Sequence, residues 1–209
     1  MSEETPDGIR GDFVEKFPIF GHRSIKIQER KAAIPVAVLL WGPGQRTSHY
    51  AKRITIRDHL TGIPGTIEVA MSEDIWQDDP AYTDDSHLYQ AEADHVEMAD
   101  IVFVLIVTEL DDRGREITGS QAEVAIFGED PEFQRKAYII VPEREPHSFL
   151  SFGWRDMPSN RKFSYTPEQY SECSHIRSYC ASIIERHRGT VYHRKRLISN
   201  LQAEMPEDY

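Results

Sequence analysis

The carboxylate of Glu123 is the side chain whose sequence context points most directly to chemistry. Residues 101–107 are seven consecutive apolar residues, mostly β-branched, which is typical of a strand buried on both faces. A polar loop follows, and the sequence predicts that a helix begins at Gly119 or Ser120. In an open α/β sheet, such a loop and helix start lie at the carboxyl edge of the strands, where ligands bind. We therefore expect Glu123 in the first helical turn, at the rim of a crevice.

Two interpretations of Glu123 are open at the level of local sequence. In the first, Ser120 and Glu123 form a capping box, so that both side chains bind backbone N–H groups at the helix start. In the second, Glu123 is a carboxylate nucleophile, and the positive end of the helix dipole keeps it ionised. The spacing fits both, so the choice depends on the rest of the chain.

A second candidate element is the turn formed by Gly42, Pro43 and Gly44, which follows an apolar run over residues 34–40. Without Cβ atoms, its glycines allow a sugar or phosphate to approach the backbone, and Arg46 is the nearest cation. The turn lacks the further glycines of a dinucleotide fingerprint and the Lys-Ser/Thr pair of a Walker loop. A plain strand-to-helix turn is the alternative. Trp41 either stacks on a base or belongs to the core.

Metal and cofactor chemistry find no support in the sequence. Glu92 and His95 lie one helical turn apart, but no second His or carboxylate–His pair accompanies them. We predict no metal site and no cofactor.

The apolar periodicity predicts an α/β domain, namely a flavodoxin-like or Rossmann-like three-layer open parallel sheet of about five strands. The predicted strands are residues 34–40, 66–71, 101–107, 137–141 and 163–165. The predicted helices are residues 47–60 with Thr47 as cap, 86–99, and a last helix from Thr166-Pro167 to Gly189 as its C-terminal cap.

Around that domain, residues 31–189, we predict an N-terminal arm over residues 1–30 and a C-terminal tail over residues 190–209. The arm is polar and interrupted by glycines and Pro18. Cys173 and Cys180 stand seven residues apart in a helical segment, about 10 Å along the axis, which is too far for a disulfide. We expect both cysteines to be reduced, as in a cytoplasmic protein.

The order of these elements carries a family resemblance. A strand ending in a Gly-containing loop precedes a helix, a second strand and a polar helix ending in Ala99-Asp100. A third apolar strand, a Gly-Ser-x-x-Glu element and a strand ending at Pro142 follow. This pattern, over residues 39–143, resembles the nucleoside 2-deoxyribosyltransferases and the related deoxynucleoside 5′-phosphate N-hydrolases.

The resemblance implies that Glu123 attacks C1′ of a sugar and that Glu92 is its acidic partner. It also implies a substrate site that includes Gly119, Ser120 and the Gly42–Gly44 turn, and active sites built across subunits. The chain departs from the family at Ala125, where a glycine is usual, and in the first loop.

Charge narrows the range of partners. The formal net charge is −11, and residues 71–100 hold ten acidic residues and no Lys or Arg. Such a surface repels phosphate backbones, so we expect no duplex nucleic acid partner. No apolar run is long enough for a membrane span, and no signal peptide is visible. A basic cluster near the C-terminus is expected to meet an acidic surface, in a homo-oligomer or a partner protein.

Taken together, the sequence predicts an N-glycosidase or N-glycosyltransferase acting on a nucleoside, nucleotide or related metabolite. Two alternatives stay open. One is a TIR-like enzyme that cleaves NAD, since TIR domains share an open parallel sheet and a glycosidase glutamate. The other is a non-catalytic nucleotide sensor, in which Glu123 is only a helix cap. A structural role in a larger assembly is a third class.

Overall fold

The computed structural model describes residues 18–44, 47–64, 66–71, 85–107, 130–143 and 159–204. The chain divides into two compact units. One unit takes the chain up to Ile34 and again from Glu185 onward, and the other covers Pro35–Ile184. We call them the helical unit and the sheet unit.

The sheet unit holds five parallel strands, which confirms the predicted fold class. The strands are β1 (Val36–Trp41), β2 (Thr66–Met71), β3 (Ile101–Leu105), β4 (Ala137–Pro142) and β5 (Lys162–Tyr165). Their order across the sheet is β2-β1-β3-β4-β5, with every neighbouring pair parallel. This is the strand order of the flavodoxin-like doubly wound fold.

Alternating residues of the central strands pack into two apolar layers, one on each face of the sheet. On one face, Leu40 and Phe103 pack with Ile56 of helix α2 (Tyr50–Thr61) and Ile183. On the other face, Leu39, Trp41 and Val104 pack with Val96 of helix α3 (Asp85–Met98) and Phe133 of the short helix α4 (Pro131–Lys136). Because β1, β3 and β4 are covered on both faces, their sequences are unbroken apolar runs.

The helix α1 (Pro18–Ala32) occupies part of the segment predicted as an irregular arm. Pro18 stands at its first position, where the missing N–H costs nothing. Gly21 lies in the first turn, and the residues that follow are mostly good helix formers. Pro18 and Gly21 therefore do not prevent a helix in this segment.

The start of α2 differs from its prediction. The helix begins at Tyr50, and its N-cap is His49, which makes no side-chain cap hydrogen bond. The Thr47 hydroxyl instead donates to the carbonyl oxygen of Gly44 at 2.9 Å, so Thr47 closes the preceding turn. Gly62 follows the last helical residue, Thr61, which lies one residue beyond the predicted end.

The last predicted helix is two helices. Thr166 caps the helix start, as predicted, and forms a capping box with Gln169 that opens α5 (Pro167–Glu172). Cys173 then adopts a left-handed backbone, with φ of 57°, and ends the helix. A 31-residue helix, α6 (Ser174–Glu204), follows.

The predicted stop at Gly189 is also wrong, because α6 runs through that glycine. A glycine inside a helix costs only about 1 kcal/mol relative to alanine, and its helical neighbours offset that cost. Cys173 and Cys180 are both free and buried, as expected. No helix among the described residues is both long enough and apolar enough to span a membrane.

Candidate functional site

The strand order creates a switch point at the carboxyl ends of β1 and β3. From β1 the chain moves to β2 on one side, and β3 lies on the other side of β1. The helices that follow β1 and β2, α2 and α3, pack on opposite faces of the sheet. In doubly wound folds, a crevice opens where consecutive helices diverge in this way, and ligands bind there.

Gly42 begins the turn at the carboxyl end of β1, and its neighbours explain why it is a glycine. A Cβ atom at this position would lie 3.1 Å from Cδ of Arg53 and 3.2 Å from Cβ of Leu105. Both distances are tighter than ordinary carbon contacts. A side chain at residue 42 would therefore have to push Arg53 or Leu105 aside by a few tenths of an ångström, and glycine avoids this.

Arg53 is fully buried beneath this turn. Its Nε and Nη2 donate to the carbonyl oxygen of Leu40 at 3.1 and 2.5 Å. Its Nη1 lies 3.4 Å from the carbonyl oxygens of both Gly42 and Pro43. A buried guanidinium requires such acceptors, so Arg53 fixes the path of the chain where β1 ends.

Helix α2 supplies this arginine through its inward face. Arg53, Ile56 and Leu60 are its buried residues, spaced three and four apart. Arg53 was not among the predicted site residues, although its spacing from Ile56 and Leu60 already placed it on the buried face of the helix.

An aromatic chain lies on the β5 side of the same edge. The Tyr165 hydroxyl donates to the carbonyl oxygen of Ile106 at 2.6 Å, just past the end of β3. Its ring stacks on Tyr170 with centroids 5.0 Å apart. The Tyr170 hydroxyl is in turn 2.7 Å from Nδ1 of His49, at the start of α2. These contacts link β3, β5 and α2 around the carboxyl edge.

Burial controls the chemistry of that chain. It raises the pKa of Tyr165 far above its usual value, so the hydroxyl stays a neutral donor. Burial also raises the pKa of the Cys173 thiol and the pKa of the Cys180 thiol. Neither cysteine has the lowered pKa of a reactive thiolate.

Apart from Glu92, the predicted site residues fall into three groups. Gly42, Pro43 and Gly44 form the turn at the carboxyl edge, as described above. Trp41 is fully buried and stacks on Phe133 with centroids 5.6 Å apart, so it is a core residue with no ring face open to a base. The remaining predicted residues, Arg46, Gly119, Ser120 and Glu123, lie outside the described residues.

Glu92 lies on α3 and is half-buried. Val96 and Ala99, one and two turns further along, pack in the core beneath the helix. Spacings of four and seven residues place Glu92 on the same inward stripe, on the turn nearer the helix start. In a doubly wound fold that start lies toward the carboxyl edge.

Asp100, the acidic residue of the Ala-Asp pair, lies at the opposite edge. Its Oδ2 accepts a hydrogen bond from the Ala37 N–H at 2.9 Å, and its own N–H donates to the Ala37 carbonyl oxygen at 2.9 Å. This reciprocal pair joins the start of β1 to the start of β3. The motif residue therefore has a structural role.

Two further features bear on ligand chemistry. A cavity of about 180 Å³ lies on the α3 side of β1 and β2, and it is smaller than typical ligand sites. Within the described ranges, no group of three or more His, Cys, Asp or Glu side chains lies close enough together to hold a metal ion.

No protein-family model matches this chain, and no curated protein matches it.

Proposed function

We propose that this chain is an N-glycosidase or N-glycosyltransferase that cleaves the base–sugar bond of a nucleoside, a nucleotide or a related metabolite. The observation that supports the proposal most is the glycine turn at the switch point. Gly42 lies against Leu105 of β3, which ends at this same edge, and residues 119–123 come after β3 in the sequence. The Gly-Ser-x-x-Glu element in this part of the sequence resembles that of the nucleoside 2-deoxyribosyltransferases, in which the glutamate is a carboxylate nucleophile.

In this mechanism, a carboxylate oxygen of Glu123 attacks C1′ while the bond from C1′ to the base nitrogen breaks. The electron pair of that bond leaves with the base, which takes up a proton. The product is a glycosyl ester, formed through a transition state with oxocarbenium character. Water, or the nitrogen of a second base, then displaces the carboxylate and regenerates Glu123.

Glu92 is the acidic partner in this proposal. Its position on the inward stripe of α3 is compatible with orienting Glu123 or transferring a proton to or from the reacting groups. The Gly42–Gly44 turn, held by Arg53, gives a rigid wall for the sugar or its 5′ group. Rigid support of this kind lowers the cost of ordering a substrate.

The test is release of free base or nicotinamide from a panel of nucleosides, nucleotides and NAD. Glu123→Gln is expected to lower turnover by several powers of ten, because a nucleophile is lost. Glutamine still completes a capping box, so the thermal stability is expected to change little. Glu97→Gln, an exposed residue of α3, is the matched control and keeps full turnover.

Three outcomes separate the alternatives. Full turnover by Glu123→Gln would overturn the nucleophile assignment. Product only from NAD would favour the TIR-like alternative. A ligand that raises the melting temperature without yielding any product would favour the sensor.

A further inference from the structure

The helical unit contains a basic groove that the proposed active site does not use. Its volume is about 810 Å³, within the range of small-molecule sites. Residues of α1, the segment after it, and α6 line it. They are Arg23, Lys26, Ile27, Arg30, Ile34, Tyr192, Lys195, Arg196 and Ser199.

Two helical stripes bring the cations together. Arg23, Lys26 and Arg30 are spaced three and four residues apart on α1, so they share one face. Lys195 and Arg196 follow Tyr192 by about one turn on α6. The result is a groove with five cations and no carboxylate among its lining residues, in a chain whose net charge is −11.

Among the described residues, no acidic side chain pairs with the positive charges of this groove. This holds for Arg23, Lys26, Arg30, Lys195 and Arg196. Like charges held this close repel one another, and a bound anion would relieve that repulsion.

Contacts within the helical unit hold the two walls in place. The buried Arg188 of α6 donates from Nε to the carbonyl oxygen of Ile34 at 3.3 Å, and from Nη1 to Glu185 at 2.7 Å. The Lys31 ammonium of α1 lies 6.0 Å from the ring centroid of Tyr192. The groove is therefore organised before any ligand binds, which reduces the entropy cost of binding.

We infer that this groove binds a small organic polyphosphate of nucleotide size. Three of its cations are arginines, whose planar forks suit phosphate oxygens. Ile27, Ile34 and the half-buried Tyr192 give an apolar surface for the organic part. Arg23 and Arg30 stand seven residues apart on α1, which is about 10 Å along the helix axis. This length matches a short phosphate chain better than a peptide helix.

Binding of tripolyphosphate and of ATP to the full chain, measured by titration calorimetry in magnesium-free buffer, tests this inference. Tripolyphosphate has no base or sugar, so its binding is independent of the proposed glycosidase. The double variant Arg30→Gln/Arg196→Gln is expected to weaken both ligands about tenfold or more, because two charged donors are lost. Circular dichroism checks that the variant is folded.

The matched control is Arg186→Gln/Arg194→Gln, which removes the same amount of charge from exposed positions of α6 outside the groove. It is expected to weaken binding less than twofold. Equal weakening by both pairs would overturn the inference, because it would indicate general charge attraction. Tighter binding of a polyglutamate peptide or of single-stranded DNA, lost in the groove variant, would also overturn it and assign a macromolecular partner.

Discussion

The two edges of the sheet both place a buried cation against backbone carbonyl groups, but for different purposes. At the carboxyl edge, Arg53 holds the turn after β1. At the amino edge, where α3 ends and β3 begins, Lys136 of α4 donates to the carbonyl oxygens of Val96 and Glu97, at 3.0 and 2.6 Å. These carbonyls belong to the last turn of α3, so Lys136 caps that helix and ties α4 to it.

The difference lies in what each cation fixes. Lys136 and the Asp100–Ala37 pair join regular elements to each other where β3 begins. Arg53 instead fixes an irregular turn at the edge where doubly wound folds bind ligands. We therefore expect substitutions at the β3 start to change stability alone, and substitutions at the carboxyl edge to change both stability and activity.

Arg53→Met should have the largest effect on stability. It leaves the buried carbonyls of Leu40 and Pro43 without their donor, and each such group costs about 1–3 kcal/mol. The free energy of unfolding in urea should fall by about 3 kcal/mol. Arg57→Met, one turn along α2 and partly exposed, should change it by less than about 0.5 kcal/mol. Similar losses in both variants would mean that Arg53 is not a special support.

Gly42→Ala tests the turn itself. The new methyl group must displace Arg53 or Leu105, which costs about 1–3 kcal/mol in a packed interior. For any substrate found in the panel, we expect KM or kcat to worsen as well. Gly189→Ala in α6 is the control, because a Cβ there meets no atom within 4 Å and alanine favours a helix. It should be neutral or stabilising.

Asp100→Ala tests the amino edge. Loss of the hydrogen bond to Ala37 should lower the free energy of unfolding by about 1 kcal/mol, with kcat and KM unchanged. Asp100→Asn keeps an acceptor oxygen and should lose less. A fall in turnover of the folded Asp100→Ala protein would break the proposed division between the edges.

Glu132→Gln should give the smallest effect, and one that depends on pH. Hydrogen bonds from Arg135 and then Lys136 lower the pKa of Glu132 from 4.5 to about 2. The carboxylate therefore stabilises the fold fully above pH 4.5, and this contribution is lost as the pH falls toward 2. The difference in melting temperature between the wild type and the variant should shrink over that range. A constant difference from pH 6 to pH 2 would contradict this assignment.

The sequence predicted the sheet well because a strand that is buried on both faces has an unbroken run of apolar residues. Residues 101–107 and 137–141 are apolar throughout, and β3 and β4 lie within them or end one residue beyond. The helix starting at Pro167 was equally clear, since Thr166, proline and Gln169 all indicate a start. Local chemistry specifies these elements.

The site was harder to predict, because its supports come from distant parts of the chain. The buried guanidinium of Arg53 donates its hydrogen bonds to carbonyl oxygens ten to thirteen residues away. The Tyr170 hydroxyl reaches His49 across 121 residues. Apolar periodicity does not report such polar contacts. Cys173 shows the same limit in the backbone, since it adopts a conformation that usually favours glycine or asparagine.

The parallel sheet also determines how this protein must reach its native state. Among the described strands, every neighbouring pair is parallel, and parallel strands require a crossover rather than a short hairpin. The contact between Ala37 and Asp100, where β1 meets β3, closes 63 residues of chain. The entropy of closing such loops is lost before the strands gain their contacts, and this slows folding. We expect the pairing of β1 with β3 to limit the rate of refolding, and the helices to form before this step.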